Sequence, residues 1–220
     1  MRKITILIIS LLFLISCKEK ETNPLMLYLK QRYTEDKKAL KSKYTNHFFK
    51  SKHTNHFPKD IDSVTYMGTL GDTHPVAEQI SFMLQCKINE SNLKHVEKLK
   101  KKSKVIYEAT DTCLFVINRF FTTDFGKLGK VDDSLIDQDY YRDKLPVPNL
   151  HHFDYSTDST SSRLPEDFKL YVLDAEKGIF LDMDMLPCGK YMPDYWKHGY
   201  SKGFAISEKR EIIIYWIVIW

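Results

Sequence analysis

The residues most open to a chemical interpretation are the histidines of a tandem repeat. Residues 42–59 read SKYTNHFFK followed at once by SKHTNHFPK, so that seven of nine positions match. Equivalent histidines nine residues apart fit neither a helical nor a strand period, and a polar nonapeptide gives His47, His53 and His56 no scaffold on which to converge. We interpret the repeat as a short duplication tolerated by a surface loop, with a metal site or a recognition segment as alternatives. Pro58 occurs only in the second copy and marks it as the join to the next element.

Two other groups of side chains have the donor types of a metal site. Asp182 and Asp184 would project from one face of a strand, but the segment lacks the further oxygens and the glycine of a calcium-binding loop. His151 and His152 precede Asp154, yet adjacent residues in a strand point in opposite directions. The sequence therefore predicts neither a metal site nor a cofactor.

Catalytic motifs give no stronger indication. The chain has no nucleophile elbow, no phosphate-binding glycine loop, no paired-cysteine metal motif and no HExxH segment. Cys113 lies in an apolar segment without a neighbouring histidine, which favours a core position over a catalytic thiol. His198 could serve as a general base, but no nucleophile or orienting partner can be named for it. We assign no catalytic residue.

The densest unusual segment is residues 187–203, PCGKYMPDYWKHGYSKG, which combine prolines, glycines and aromatic residues. Tyrosine and tryptophan supply rigid contact area with a polar tip, which binding surfaces favour. Of the two interpretations, we favour the alternative in which Trp196 caps the core while Gly199 and Gly203 set turns. The candidate binding residues are Tyr191, Tyr195, Trp196, His198 and Tyr200.

The amino terminus has the pattern of an export signal. Arg2 and Lys3 precede an apolar run from Ile4 to Ile15, which Ser16 and Cys17 follow. A basic region, a short apolar region and a small residue before the cleavage site are typical of secretory signals. The run is shorter than the roughly 20 residues that a membrane-spanning helix needs.

The last four residues of this segment, Leu-Ile-Ser-Cys, resemble the lipobox of bacterial lipoproteins. The resemblance covers residues 1–17 and implies cleavage before Cys17 and a diacylglycerol on its thiol. It also implies that the new amino terminus carries a fatty acyl group such as palmitate. Two or more acyl chains hold a protein stably at a membrane. The residue directly after Cys17 is not aspartate, and the sorting rules of this family then favour the outer membrane. The alternative is an ordinary cleaved signal with an incidental cysteine.

Composition limits the remaining chain. Removing the signal peptide, residues 1–16, leaves 204 of 220 residues, enough for one substantial domain, and the net charge falls from +4 to +2. Such a charge does not indicate nucleic acid. Cys86, Cys113 and Cys188 allow at most one internal disulfide, and we expect at least one buried thiol. The predicted organisation is a lipidated tether at 17–23 and a single domain at 24–220.

Hydrophobic periodicity predicts three helices, from Pro24 to near Thr45, over 72–88 and over 89–102. Strands are predicted at 64–70, 105–109, 113–117, 168–173, 179–181, 204–207 and 212–219, of which 113–117 is expected to be central and the last to be buried on both faces. Asp174–Gly178 is predicted as the turn of a hairpin between 168–173 and 179–181, and residues 208–211 as the turn of a second hairpin. A long loop around 120–165 is the strongest candidate binding region by sequence. This order indicates an α+β fold, an antiparallel sheet with N-terminal helices packed on one face.

These features predict a non-enzymatic cell-envelope lipoprotein that binds a protein partner or ligand. Its expected partners are the membrane, through the lipid at Cys17, and an envelope protein, without nucleic acid. A membrane-anchored hydrolase that uses His198 or His151 with an aspartate is one alternative. An immunity-type inhibitor of a toxin is another.

Overall fold

The computed structural model describes residues 24–43, 51–59, 64–70, 80–119, 133–150, 161–181 and 191–220. Its helices are α1 (Pro24–Lys43), α2 (Ser51–Thr54), α3 (Glu90–Lys100) and α4 (Asp133–Ile136), with 3₁₀ turns at Asp139–Tyr141 and Asp194–Trp196. Its strands are β1 (Val64–Leu70), β2 (Ile80–Lys87), β3 (Val105–Glu108), β4 (Lys169–Lys177), β5 (Gly199–Ser207) and β6 (Ile212–Ile219).

All six strands belong to one antiparallel sheet with the order β1-β2-β6-β5-β4-β3, so the predicted α+β class is confirmed. The carboxy-terminal strand β6 pairs with β2 on one side and β5 on the other. Both faces of β6 are buried, as its lack of a polar side predicted. The predicted β5–β6 hairpin is also confirmed, and Glu211 closes its turn with a φ of 56°.

Side chains alternate along the strands and supply two cores, one on each face of the sheet. The helix-side core joins the sheet to residues from α1, α3 and the second repeat copy, and it includes Tyr33, Phe57, Phe82, Val96, Leu99, Tyr200, Phe204 and Tyr215. The loop-side core joins the other face to irregular segments, and it includes Leu114, Phe115, Ile117, Val147, Phe168, Trp196, Trp216 and Trp220. The helices thus cover one face, as predicted.

Local signals explain the helix α3. Asn89 caps its amino terminus by accepting a hydrogen bond from the Asn92 backbone, and the Asn92 side chain accepts one from the Asn89 backbone. Val96 and Leu99 then face the sheet and are buried. The helix ends at Lys100, two residues before the predicted Lys102. The helix α1 is confirmed from Pro24, and its Tyr33 packs 6.1 Å from Phe82.

The second repeat copy is part of the core, so the interpretation of Ser51–Lys59 as a tolerated surface loop is wrong. His53, His56 and Phe57 are almost completely buried, and each exposes only 1% of its surface. The ring of Phe57 lies 4.9 Å from that of Phe82. The hydroxyl of Tyr33 donates a 2.6 Å hydrogen bond to the carbonyl of Pro58. The polar composition of the repeat suggested a surface loop. Its burial depends instead on the residues that pack against it in the fold, which composition does not indicate. Most of the first copy, residues 44–50, lies outside the described residues.

The predicted helix at 72–88 is wrong for its described part. Residues 71–79 are not described, and Ile80–Lys87 form the strand β2, paired with β1 and β6 along its length. Nearly every residue of β2 is buried because both of its faces are covered. In β2, Ile80, Phe82, Leu84 and Cys86 alternate toward the helix-side core, and Met83 on the opposite face belongs to the loop-side core. Met83 completes the spacing of Ile80 and Leu84 that imitated a helical stripe.

The predicted central strand at Cys113–Ile117 is also wrong. Leu114 to Ile117 are buried in the loop-side core without joining the sheet, and their backbone makes one isolated parallel bridge, from Val116 to Val147. The apolar run indicated burial correctly but not conformation. Residues 141–150 come from the expected long loop, and they pack on the same face with Tyr141, Val147 and Leu150 buried.

The predicted hairpin at Asp174–Gly178 is replaced by one continuous strand. β4 runs through Asp174 to Lys177 and pairs with β5, and Gly178, with a φ of 141°, follows its end. Ile179–Leu181 form no strand. A bulge between Val172 and Asp174 shifts the register, so that Asp174 faces the helix side of the sheet next to Tyr200.

Gly203 does not set a turn, because it lies in the middle of β5 opposite Trp216. A Cβ atom at this position would be 2.5 Å from the Trp216 ring and closer still to the carbonyl oxygen of Tyr171. Glycine is therefore needed so that the indole can lie flat across the strand. Cys86 is buried, as expected for at least one thiol, and neither it nor Cys113 forms a disulfide within the described residues.

Candidate binding surface

The five predicted binding residues do not lie on one surface. Trp196 belongs to the loop-side core and Tyr200 to the helix-side core, on opposite faces of the sheet. Tyr191, Tyr195 and His198 are partly exposed. The strand β5 begins at Gly199, and its alternation sends Tyr200 to the face away from Trp196.

Trp196 holds this segment to the domain. It ends a 3₁₀ turn that begins after Pro193, and its ring lies 5.8 Å from Trp220 and 6.1 Å from Phe115. The indole nitrogen of Trp220 donates a 2.8 Å hydrogen bond to the Trp196 carbonyl. These contacts fit the alternative in which Trp196 caps the core.

Tyr195, in the same turn, is partly buried against the loop-side core, its hydroxyl oxygen is buried, and its ring lies near two exposed cations. The guanidinium carbon of Arg142 is 5.7 Å from the centre of its ring, and the ammonium of Lys177 is 5.1 Å from it. Lys177 is also 5.2 Å from the centre of the Trp196 ring. We call Tyr195, Arg142 and Lys177 the Tyr195 surface. Cations within about 6 Å of an aromatic face are attracted by its quadrupole.

The electrostatics of the Tyr195 surface keep the phenol neutral at physiological pH. Burial raises the pKa of Tyr195, and the negative charge of Asp137 adds to this, although Arg142 acts in the opposite direction. Arg142 donates to Asp139 at 3.1 Å. Lys177 forms no ion pair within the described part of the chain, so its charge is available to a binding partner.

The sequence did not indicate Arg142 and Lys177. They come from the segment after the 3₁₀ turn at 139–141 and from the end of β4, both far from Tyr195 in the chain. Lys177 was placed in a predicted hairpin turn, and no local pattern relates a lysine there to a tyrosine after β4. The pairing of β4 with β5 brings Lys177 next to the segment that contains Tyr195.

Tyr200 takes part in a polar cluster on the other face. Its hydroxyl donates to Asp174 at 2.6 Å, and the ammonium of Lys104 lies 2.5 Å from the other carboxylate oxygen. The ammonium of Lys202, which is largely buried, is 3.7 Å from Asp174. Although burial opposes it, hydrogen bonding from Lys104 and Tyr200 holds the pKa of Asp174 below its ordinary value. The cluster links β4 and β5 to Lys104, the residue directly before β3.

The histidines of the second repeat copy, His53 and His56, serve packing and hydrogen bonding in this structure. Nε2 of His56 lies 2.8 Å from the Trp216 carbonyl oxygen, and Nε2 of His95 lies 2.8 Å from the His56 carbonyl oxygen. Burial lowers the pKa of His56 to about 3, so this ring is neutral at pH 7. Across the described ranges, no three or more histidine, cysteine or acidic side chains gather as a metal site would require.

His198 has no catalytic arrangement in the described part of the chain, where its buried Nδ1 has no hydrogen-bond partner. Its carbonyl accepts a 3.1 Å bond from the Gly178 amide. Several candidates from the sequence lie outside the described residues, namely Cys17, Cys188, His47, His151, His152, Asp154, Asp182 and Asp184.

No protein-family model matches the chain, and neither the curated proteins nor the solved structures contain a significant match. Of the helices that the structure describes, none has the length and apolarity of a membrane span.

Proposed function

We propose that this chain is a non-enzymatic cell-envelope lipoprotein, held at the membrane through Cys17, that binds an envelope protein through the Tyr195 surface. The lipobox-like Leu-Ile-Ser-Cys ending and the residues after it support anchoring at the outer membrane. The observation that carries the binding role is the partly exposed ring of Tyr195 beside the exposed cations of Arg142 and Lys177.

Composition and rigidity favour this surface as a contact site. Tyrosine and arginine are enriched among the residues that contribute most to protein–protein affinity. The Tyr195 ring is held by the 3₁₀ turn that Trp196 anchors, so that little conformational entropy is lost when a partner covers it. Lys177 supplies a charge that an acidic group of the partner can neutralise. We therefore propose a protein partner that presents a carboxylate next to an apolar contact.

The test is recovery of the partner from intact envelopes by crosslinking to the wild-type chain and two charge-reversal variants. Lys177→Glu should abolish the crosslink, because it places an anion against the acidic partner. Lys102→Glu changes an exposed lysine after α3 by the same charge and should leave the crosslink intact. Unchanged melting temperatures would show that both variants fold.

Tyr195→Ala separates the aromatic contact from the charge. We expect at least a tenfold loss of crosslinked partner, since truncation of a central interface tyrosine costs about 2 kcal/mol or more. Equal recovery with the wild type, Lys177→Glu and Tyr195→Ala would overturn the binding role of the Tyr195 surface.

A further inference from the structure

The first two turns of α1 expose apolar side chains away from the protein. Leu27 and Tyr28 are adjacent and are 60% and 58% exposed. Leu29 packs against the helix-side core and Tyr33 is buried within it. Because residues four apart share a helix face, the side that Leu29 and Tyr33 define faces the protein. Leu27 and Tyr28 therefore point outwards.

Among the side chains of α1 that the structure describes, exposed apolar character occurs only at its amino-terminal end. From Gln31 to Glu35 the exposed side chains are polar, and Gln31 donates a 2.9 Å hydrogen bond to Glu35. An ordinary solvated helix would be polar along its entire outer side. The exposed apolar pair therefore calls for an apolar environment that reaches only the beginning of α1.

The length of chain before α1 indicates what that environment is. Six residues separate Cys17 from Pro24, and an extended chain spans at most about 3.5 Å per residue. A lipid on Cys17 therefore keeps the first turn of α1 within about 25 Å of the bilayer surface. Lys30 and Arg32, in the next turn, suit the headgroups of anionic phospholipids.

We propose that Leu27 and Tyr28 insert into the interfacial layer of the phospholipid bilayer, so that α1 orients the domain on the membrane. Tyrosine is enriched at the depth of lipid headgroups, where its ring contacts acyl chains and its hydroxyl remains hydrated. The contact rests on the proposed lipidation, because one leucine and one tyrosine bind a bilayer weakly without an anchor. With the anchor in place, the same contact fixes which surface of the domain faces away from the membrane.

The experiment uses the full chain purified from envelopes and reconstituted into vesicles of phosphatidylethanolamine and phosphatidylglycerol with brominated acyl chains. The three native tryptophans are buried, so an introduced exposed tryptophan can be followed against them. The emission of the tryptophan in Tyr28→Trp should be blue-shifted relative to that of a water-exposed tryptophan. Its quenching should be severalfold stronger in brominated than in unbrominated vesicles. Ile179→Trp, at a position 60% exposed after β4, is the matched control and should show neither change.

Mass measurement of the same sample separates this inference from the proposed anchoring. Lipid mass on Cys17 together with an unquenched Tyr28→Trp would overturn the membrane contact and leave the anchor in place. Crosslinking of that unquenched position to a protein in intact envelopes would assign α1 to a protein interface instead. A mature chain without lipid mass would overturn both proposals.

Discussion

Replacing Phe57 by alanine should destabilise the protein strongly, although the sequence places this residue in an apparently dispensable repeat. The Phe57 ring is buried and lies 4.9 Å from Phe82 and 6.1 Å from Tyr215. Truncation of a buried phenylalanine to alanine costs about 3–5 kcal/mol, through lost transfer energy and the cavity that remains. For a domain of about this size, that corresponds to a fall in melting temperature of roughly 6–20 °C.

The assay is urea unfolding of the mature chain, followed by tryptophan fluorescence. Phe48→Ala is the matched comparison, because it removes the same side chain from the equivalent position of the first copy. A loss below about 1 kcal/mol for Phe57→Ala would refute the structural role of the second copy. A loss of equal size for Phe48→Ala would show that the effect is not particular to the second copy.

Three further perturbations test the packing of the sheet. The pKa of His56 is lowered from 6.5 to about 3 in the folded state, so the unfolded state binds more protons between these values. The free energy of unfolding should therefore fall by up to about 1.4 kcal/mol per pH unit below pH 6.5, and His56→Gln should reduce this slope in urea titrations. Gly203→Ala should cost about 1–3 kcal/mol by overpacking, whereas Gly68→Ala, whose new Cβ meets a movable tyrosine side chain, should cost less in the same assay. Tyr200→Phe removes the hydrogen bond to Asp174 and should cost about 1–2 kcal/mol by thermal unfolding, and an unchanged melting temperature would show that this bond contributes no stability.

Elements whose local sequence signals agree with their burial could be predicted from the sequence. The strand β1 and the hairpin of β5 and β6 have turn residues at their ends, and α3 has an asparagine cap followed by buried residues at helical spacing. In each case local propensity and tertiary burial favour the same structure.

The errors arise where spacing or composition is compatible with more than one structure. In β2, Ile80, Phe82 and Leu84 alternate toward the helix-side core, and Met83 on the other face gave a spacing that imitated a helix. Leu114 to Ile117 are as apolar as a central strand but contact the sheet only through side chains. The glycine after Lys177 suggested a hairpin, although pairing with β5 continues the strand to that point.

The candidate binding surface could be predicted only in part. Tyr195 was identified from the aromatic composition of its segment, whereas Trp196 and Tyr200 from the same segment are buried on opposite faces. The cations beside Tyr195 come from distant segments, and a single sequence contains no local pattern that pairs them. Polar composition likewise concealed the burial of His56, because its neighbours in space come from α3 and β6.

The most direct test of anchoring, on which the proposed function depends, compares the wild type with Cys17→Ser in cells given a fatty-acid analogue. The wild type should carry the label and partition into the detergent phase. The variant should lose both properties, because the thioether requires the sulfur of Cys17. Any weak adhesion that remains through basic surfaces should disappear near 1 M salt, where screening shortens to about 3 Å. Salt-resistant membrane association of a correctly cleaved Cys17→Ser chain, at the level of the wild type, would contradict the account.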